Sequence, residues 1–283
     1  MVRVAGLARG QKLNGPNARL AKLLSVLDRH EVLDSREALR AALDSKNRLD
    51  EYQPRGPFIL GFDTNAAFRL GLNGTRGANS VDYLRVRHDG PVIIPGQVLQ
   101  EIWNNSLEGL DPKAKKISAA LEKLRDEAAG IGQDLGETGE AVEQAVGELS
   151  GVHGSWIDPS ARETFERTLD ALIAVGVVAN VPRSELLAVA RVRHETKTPP
   201  GFRDPAGNHG DFFVWADFLF GAMEMNAAAV DAVVFVTNDN KKDWSRNGVA
   251  HPVLVAEARA VTGKPFHLWS LDQFQRFAME QMG

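Results

Sequence analysis

The chain has 283 residues, 43% hydrophobic and 25% charged, with a formal net charge of −4 at pH 7. This length suits one large domain or a domain with an appended helical part. The slightly acidic balance argues against a protein that wraps nucleic acid with a basic surface. The lack of cysteine excludes disulfides and thiolate metal sites. No apolar run reaches the ~18 residues that cross a bilayer, and no signal peptide is recognised, so we expect a cytoplasmic protein.

Residues 1–55 are predicted to form an N-terminal helical segment. Leucines recur at helical spacing behind the candidate N-cap Asn17, and a second helix is predicted from about Ser35. Residues 53–57 contain two prolines and a glycine, which is typical of a linker. The main domain is therefore predicted to cover 56–283.

Short apolar runs alternate with helical patterns along this main domain. The predicted strands are 58–62, 92–94, 232–237 and 266–269. The predicted helices are 66–70, 96–107, 184–192, 211–225 and a last one behind a capping box of Ser270 and Gln273. A helical pattern from 111 to about 173, interrupted near 130–132 and 151–154, lies in a predicted insertion of about 108–195. Buried strands that alternate with helices predict an α/β domain with a largely parallel sheet.

Acidic residues fall at or near the ends of the predicted strands. Asp63 closes the first strand, Asp239 closes strand 232–237, and Asp243 follows four residues later. Glu101 lies in the helix after the second strand, and Asp211 opens an apolar helix whose N-terminus favours a negative charge. Because ligands of open α/β sheets bind at the carboxyl ends of the strands, these acids can converge on one edge.

Clustered carboxylates raise each other's pKa unless a cation lies between them. Mg²⁺ and Mn²⁺ prefer oxygen ligands, and such ions activate water and polarise phosphoryl oxygens. The pattern thus suggests phosphodiester hydrolysis. Taken singly, each acid also has an ordinary interpretation as a turn former, a helix cap or a surface charge, and from position alone the two readings are about equally balanced.

Four groups of residues carry a resemblance to the PIN-like domain. They are FDTN (62–65), PGQVLQEI (95–102), KTPPGFRD (197–204) with GDFFVW (210–215), and VFVTNDNKKDW (234–244). The likeness is closest to the long bacterial branch, with a helical insertion before a PPG…GD segment, and extends over about 56–275. It implies a three-layer α/β/α fold with a central, mostly parallel sheet. It also implies Mg²⁺- or Mn²⁺-dependent endoribonuclease activity, as in toxins and in RNA-processing and defence proteins.

The resemblance also implies roles for individual residues. The catalytic, metal-binding acids would be Asp63, Glu101, Asp211, Asp239 and Asp243, of which the last two compete for one role or share it. The substrate-binding side chains would be Asn65, Lys197, Thr237, Arg203 and Lys241, with the basic ones placed to neutralise phosphates. RNA is the implied substrate, and an antitoxin-type inhibitor and a second copy of the chain are the expected protein partners.

Two other classes of function fit parts of the same pattern. A Mg²⁺-dependent phosphatase or phosphotransferase also places Asp at a strand end, but the usual phosphatase has a second Asp where this chain has Asn65. A non-catalytic PIN-like scaffold is disfavoured because the core acidic positions are all filled. Asp204 is interpreted as a loop acid. Asp217, within the apolar helix, needs a partner if buried, and the sequence indicates none.

Overall fold

A computed structural model describes residues 16–31, 33, 35–43, 53–72, 74–110, 112–151, 159–225, 229–239, 241–246 and 248–283. The described residues form two compact units. The first unit contains those within 1–59, 179–234 and 240–268, and the second contains those within 60–178, 235–239 and 269–283. The division into 1–55 and 56–283 stays a prediction from the sequence.

Parallel strands form the centre of the fold. The strands are β1 (Phe58–Phe62), β2 (Val92–Pro95), β3 (Gly176–Ala179), β4 (Ala232–Thr237), β5 (Ser245–Arg246), β6 (Val249–Ala250) and β7 (Phe266–Ser270). In the described residues, five of them form a parallel sheet in the order β3-β2-β1-β4-β7. Leu60 of β1 lies beside Val92 of β2. Strands β1, β2 and β4 are buried along their whole length, as expected for a sheet covered on both faces.

Helices flank the sheet and give the predicted three-layer α/β/α fold. They are α1 (Pro16–Leu27), α2 (Ser35–Leu43), α3 (Thr64–Leu72), α4 (Gly74–Val86), α5 (Gly96–Leu110), α6 (Pro112–Leu135), α7 (Glu137–Gly151), α8 (Pro159–Val175), α9 (Arg183–Glu195), α10 (Gly210–Glu224), α11 (Pro252–Thr262) and α12 (Leu271–Met282). In the first unit, α1 packs on α10 and α11, and α2 packs on α11. In the second unit, α3 and α4 pack on α8, α4 packs on α12, and α6 pairs with α7. None of the helices in the described ranges is long and apolar enough to cross a membrane.

The predicted helical insertion needs one correction. Helix α6 continues through Gly130 and Gly132, where an interruption was expected, and ends at Leu135. An interior glycine costs a helix only about 1 kcal/mol, so it need not end one. The chain breaks instead at Gly136, whose φ of +56° is readily adopted by glycine. The second expected interruption, 151–154, falls largely outside the described residues.

The capping box predicted for the last helix is confirmed. Ser270 Oγ accepts a hydrogen bond from Gln273 N at 3.1 Å, and Ser270 N donates to Gln273 Oε1 at 2.8 Å. In each bond, the side chain of one residue accepts from the backbone N–H of the other at the start of α12. The two bonds fix where β7 ends and α12 begins.

Helix α10 is buried on nearly every side, and its Asp217 has the partners that the sequence did not indicate. Asp217 Oδ1 accepts from Val181 N and from Arg183 Nη1, both at 2.8 Å, and Oδ2 accepts from Arg183 Nη2 at 2.8 Å. A bidentate guanidinium pair of this kind offsets the cost of burying a carboxylate. Asp217 therefore ties α10 to the start of α9.

His88 gives the second unit an expected pH dependence of stability. The hydroxyl of Tyr83 lies within hydrogen-bond distance of His88 Nδ1, at 3.2 Å. Burial lowers the pKa of His88 to about 4, and this effect outweighs a backbone hydrogen bond at Pro91 and the charge of Asp89, which both raise the pKa. Because the unfolded chain takes up this proton near pH 6.5 and the folded protein near pH 4, stability falls as pH drops between those values. Urea unfolding at about pH 7 and about pH 5 should differ by up to about 2 kcal/mol from this group. His88→Gln should reduce that difference, and an unchanged difference would contradict the expectation.

Candidate functional site

Asp63 lies at the carboxyl end of β1 and is held from two sides. Its backbone N–H donates to Val236 O of β4 at 2.9 Å. Its Oδ1 accepts from Ala66 N at 2.5 Å, which caps α3, and its Oδ2 accepts from the hydroxyl of Thr237. The side chain is only 5% exposed. Asp63 thus caps α3, and the same contacts fix the direction of its carboxylate.

Glu101 is half-buried on α5, and its carboxylate contacts Thr64, the residue after Asp63. Its Oε2 accepts from the hydroxyl of Thr64 at 2.5 Å, and its Oε1 accepts from Gln97 Nε2 at 3.0 Å. Gln97 and Glu101 are four residues apart and thus share one helix face. We call Asp63, Thr64, Gln97, Glu101, Thr237 and Asp239 the strand-end cluster; all belong to the second unit.

Thr237 and Asp239 complete the strand-end cluster. The hydroxyl of Thr237 accepts from Asp239 N at 2.9 Å while it donates to Asp63. Thr237, predicted to bind substrate, thus orients a carboxylate and the turn after β4. Asp239 is half-buried, and Asn65 is exposed in the first turn of α3.

Asp211 belongs to the first unit, where a lysine joins it to another acid. Lys241 Nζ donates to Asp211 Oδ2 at 3.0 Å and to Asp204 Oδ1 at 2.8 Å, and Trp244 Nε1 donates to Asp211 Oδ2 at 3.2 Å. Burial, and then the charge of Asp204, raise the pKa of Asp211 to about 6, against the opposing effects of Lys241 and Trp244. We call Asp204, Asp211, Lys241, Asp243 and Trp244 the loop cluster.

Asp243 is fully buried and holds the loop that contains PPG. Its Oδ2 accepts from Gly201 N at 3.0 Å and from Arg203 N at 3.3 Å. Within the described residues, its Oδ1 is buried without a hydrogen-bond partner, which leaves that oxygen suited to a water or a cation. Gly201 has a φ of +89°, and an added Cβ would lie 3.3 Å from Asp211 Cβ, so any other residue would be strained at this turn.

The predicted basic residues differ in their surroundings. Lys197 and Arg203 are exposed at the two ends of the PPG turn, whereas the ammonium group of Lys241 lies between two carboxylates. The sequence reading did not single out Thr64 as an orienting residue or Lys241 as a partner of Asp204. A signal was present for Thr64, because a hydroxyl beside a strand-end Asp and a Gln four residues before Glu101 both suit carboxylate orientation.

The acids predicted for one site are thus described in two clusters, one within each unit. Asp63, Glu101 and Asp239 belong to the strand-end cluster, and Asp211 and Asp243 belong to the loop cluster. In the described parts of the chain, no group of three or more His, Asp or Glu side chains is arranged to hold a metal ion. A single site of five acids stays a prediction from the sequence.

A buried, mainly parallel sheet with carboxylates where its strands end is typical of metal-dependent phosphoryl chemistry. Residues 128–254 match the family described as PIN like domain, and this match supports the resemblance of the chain to PIN-like domains. The match spans somewhat less than half of the chain and includes Asp211, Asp239 and Asp243 but not Asp63 or Glu101. No curated protein and no solved structure gives a significant match.

Proposed function

We propose that this PIN-like domain protein is a metal-dependent endoribonuclease. The observation that carries the proposal is the orientation of two acids in the strand-end cluster. The Asp63 carboxylate is fixed by Ala66 N and the Thr237 hydroxyl, and the Glu101 carboxylate by Thr64. Two carboxylates directed in this way by neighbouring hydroxyl groups are typical of sites that bind an ion and a phosphate.

The donor atoms suit Mg²⁺ or Mn²⁺. Magnesium is commonly bound by one or two carboxylates together with waters and substrate phosphates, so a group of three protein acids is not required. A carboxylate offers about four lone-pair sites, so Asp63 can accept its hydrogen bonds and also bind a cation. In the loop cluster, the ammonium of Lys241 lies between Asp204 and Asp211 and neutralises part of their charge, so the ion of the proposal is assigned to the strand-end cluster.

In this proposal each cluster has a part in the reaction. Asp63 and Glu101 hold the ion together with waters, with Asp239 beside them, and the chemistry that the ion supplies when bound is activation of water and polarisation of a phosphoryl oxygen. Thr64 and Thr237 keep the carboxylates oriented. Asp211 and Asp243 are proposed as further catalytic acids. The side chains that contact the RNA are those of Asn65, Lys197, Arg203 and Lys241. Water adds to the phosphorus and the P–O3′ bond breaks, which leaves a 5′-phosphate and a 3′-hydroxyl. A toxin or defence role with an inhibitor protein belongs to the same proposal.

Cleavage and metal binding test the proposal together. Labelled single-stranded RNA should be cut in Mn²⁺ or Mg²⁺ and left intact in EDTA, with DNA of the same sequence run in parallel. Mn²⁺ at a hundredfold excess over its Kd should stabilise the fold by about 2.7 kcal/mol. At roughly 2–4 °C per kcal/mol, this corresponds to a rise in Tm of roughly 5–11 °C. Glu101→Gln should lose most of that stabilisation, because an amide binds a cation more weakly than a carboxylate.

Glu122→Gln is the matched control, since Glu122 is exposed on α6 of the same unit. It should keep both cleavage and the Mn²⁺-dependent rise in Tm. If RNA and DNA stay intact and phosphate is released from small phosphomonoesters, the protein is a phosphatase. If neither reaction occurs and Mn²⁺ leaves the Tm unchanged, the non-catalytic scaffold is the better description.

A further inference from the structure

A cavity of about 390 Å³ lies in the first unit. It is bordered by α2, by the β5–β6 hairpin and by the start of α11. Leu39, Leu43 and Val249 give it apolar walls, and Lys242, Arg246 and His251 give it polar ones. We call this space the hairpin cavity.

The walls of the hairpin cavity combine two kinds of surface. Leu39 and Leu43 are 49% and 73% exposed, so α2 presents large apolar side chains that its packing on α11 does not cover. Lys242 and Arg246 are exposed cations on the hairpin side. A ligand that complements both has an apolar face and a negative charge, which describes the base and the phosphate of a nucleotide.

His251 adds a neutral hydrogen-bond donor. Its Nδ1 accepts from Val253 N at 3.2 Å and so caps α11. A ring nitrogen that accepts a hydrogen bond carries no proton, so the neutral ring has its proton on Nε2. That N–H is suited to a phosphate oxygen or to a carbonyl oxygen on the edge of a base.

The hairpin cavity and the loop cluster share one short segment of chain. Lys241 contacts the carboxylates of Asp204 and Asp211, and the next residue, Lys242, lines the cavity. Consecutive Cα atoms are about 3.8 Å apart. Lys242 is therefore the residue through which the wall of the cavity continues into the chain segment of the loop cluster.

We infer that the hairpin cavity binds one nucleotide of a single-stranded RNA substrate. Its phosphate pairs with Lys242 and Arg246, and its base lies against Leu39 and Leu43. The inference rests on the proposed endoribonuclease function. The volume of the hairpin cavity suits a nucleotide, because pockets for small ligands begin at about 300 Å³. A stable protein interface needs about 800 Å² from each partner, which is a much larger surface than the walls of this cavity.

Binding measured without cleavage tests the inference. Fluorescence anisotropy of labelled single-stranded RNA in EDTA gives Kd at several salt concentrations for the full chain. The double variant Lys242→Glu/Arg246→Glu should bind at least about 10-fold more weakly, and the slope of log K against log[salt] should shrink by about 1.4, since each phosphate contact contributes about 0.7 for single strands. Leu39→Asn should weaken binding and leave the slope unchanged.

The control is Lys116→Glu/Arg125→Glu, which makes the same charge change at exposed positions of α6 and should keep wild-type affinity. Circular dichroism and Tm establish that each variant is folded. If the cavity variants bind as tightly as a wild type that cuts RNA, the inference is wrong and the proposed function stands. If the wild type neither binds nor cuts RNA, both are wrong. If poly-glutamate binds in place of RNA and the cavity variants lose that binding, the cavity binds an acidic protein segment and the inference is overturned.

Discussion

Asp63→Asn is expected to lower Mn²⁺-dependent RNA cleavage by at least about 100-fold, since loss of an orienting partner alone costs metal sites 10- to 100-fold. The substitution keeps the size of the side chain, and its amide oxygen can still accept from Ala66 N and cap α3. It removes the negative charge that a divalent ion requires. The initial rate of cleavage of labelled RNA measures the effect, and the Tm measures whether the fold is kept.

Asp82→Asn makes the same chemical change on the exposed face of α4 and should leave cleavage unchanged. Thr237→Val supplies a second variant at the site, because it removes the hydroxyl that donates to Asp63 Oδ2. It should lower the rate by a smaller factor, about 10-fold. Should Asp63→Asn retain wild-type cleavage while Mn²⁺ is still required, the proposed role of the strand-end cluster is wrong.

The parts of the strand-end cluster that the sequence predicted are those with local signals. An apolar run followed by Asp63, and another followed by Asn238 and Asp239, mark two strands and the turns behind them. Both strands are confirmed as buried neighbours in one parallel sheet. Glu101 could be placed near them because it follows the next strand by only six residues. Position along a strand or a helix is thus enough to find acids that gather where strands end.

Partners that are distant in the chain could not be predicted in this way. Asp217 pairs with Arg183, 34 residues away, and Lys241 pairs with Asp204, 37 residues away. Periodicity reports which face of an element is buried and carries no information on which charge lies opposite. The same limit explains why the two carboxylates that the Lys241 ammonium contacts were not predicted.

Elements without a regular apolar pattern were also missed. Helix α4 buries Gly77 and Ser80 beside Val81, Tyr83 and Leu84, so apolar residues make up only the second half of its buried face. Strand β3 has two exposed valines, Val177 and Val178, and its four residues follow α8 without a break. The β5 and β6 strands have two residues each, which is too short for any alternation to appear.

The buried ion pair of Arg193 and Glu257 is expected to give the largest effect on stability. Arg193 Nη1 donates to Glu257 Oε1 at 2.7 Å and Nη2 donates to Oε2 at 3.1 Å, while Trp215 Nε1 donates to Oε2 at 2.9 Å. The two charged side chains are 3% and 0% exposed. Glu257→Gln leaves the Arg193 charge buried without a counter-charge, so the free energy of unfolding should fall by about 3–5 kcal/mol. Urea unfolding measures the change.

Arg259→Met on the same helix is the control, since its ion pair with Glu37 is surface-exposed and should contribute at most about 1 kcal/mol. The double variant Arg193→Met/Glu257→Leu should recover much of the lost stability, because no unpaired charge remains. A loss for Glu257→Gln no larger than that of Arg259→Met would contradict the assigned role of the pair.

Arg193 also donates to Leu27 O at 2.8 Å and to Pro199 O, so the same guanidinium joins α1 to the loop whose Gly201 N–H binds Asp243. The stability-restored double variant lacks both of these bonds. It should therefore remain folded and cut RNA more slowly than wild type, by about 10-fold if the loop acts as an orienting partner of the acids. Wild-type cleavage by that variant would show that the loop keeps its conformation without Arg193 and would limit the ion pair to a role in folding.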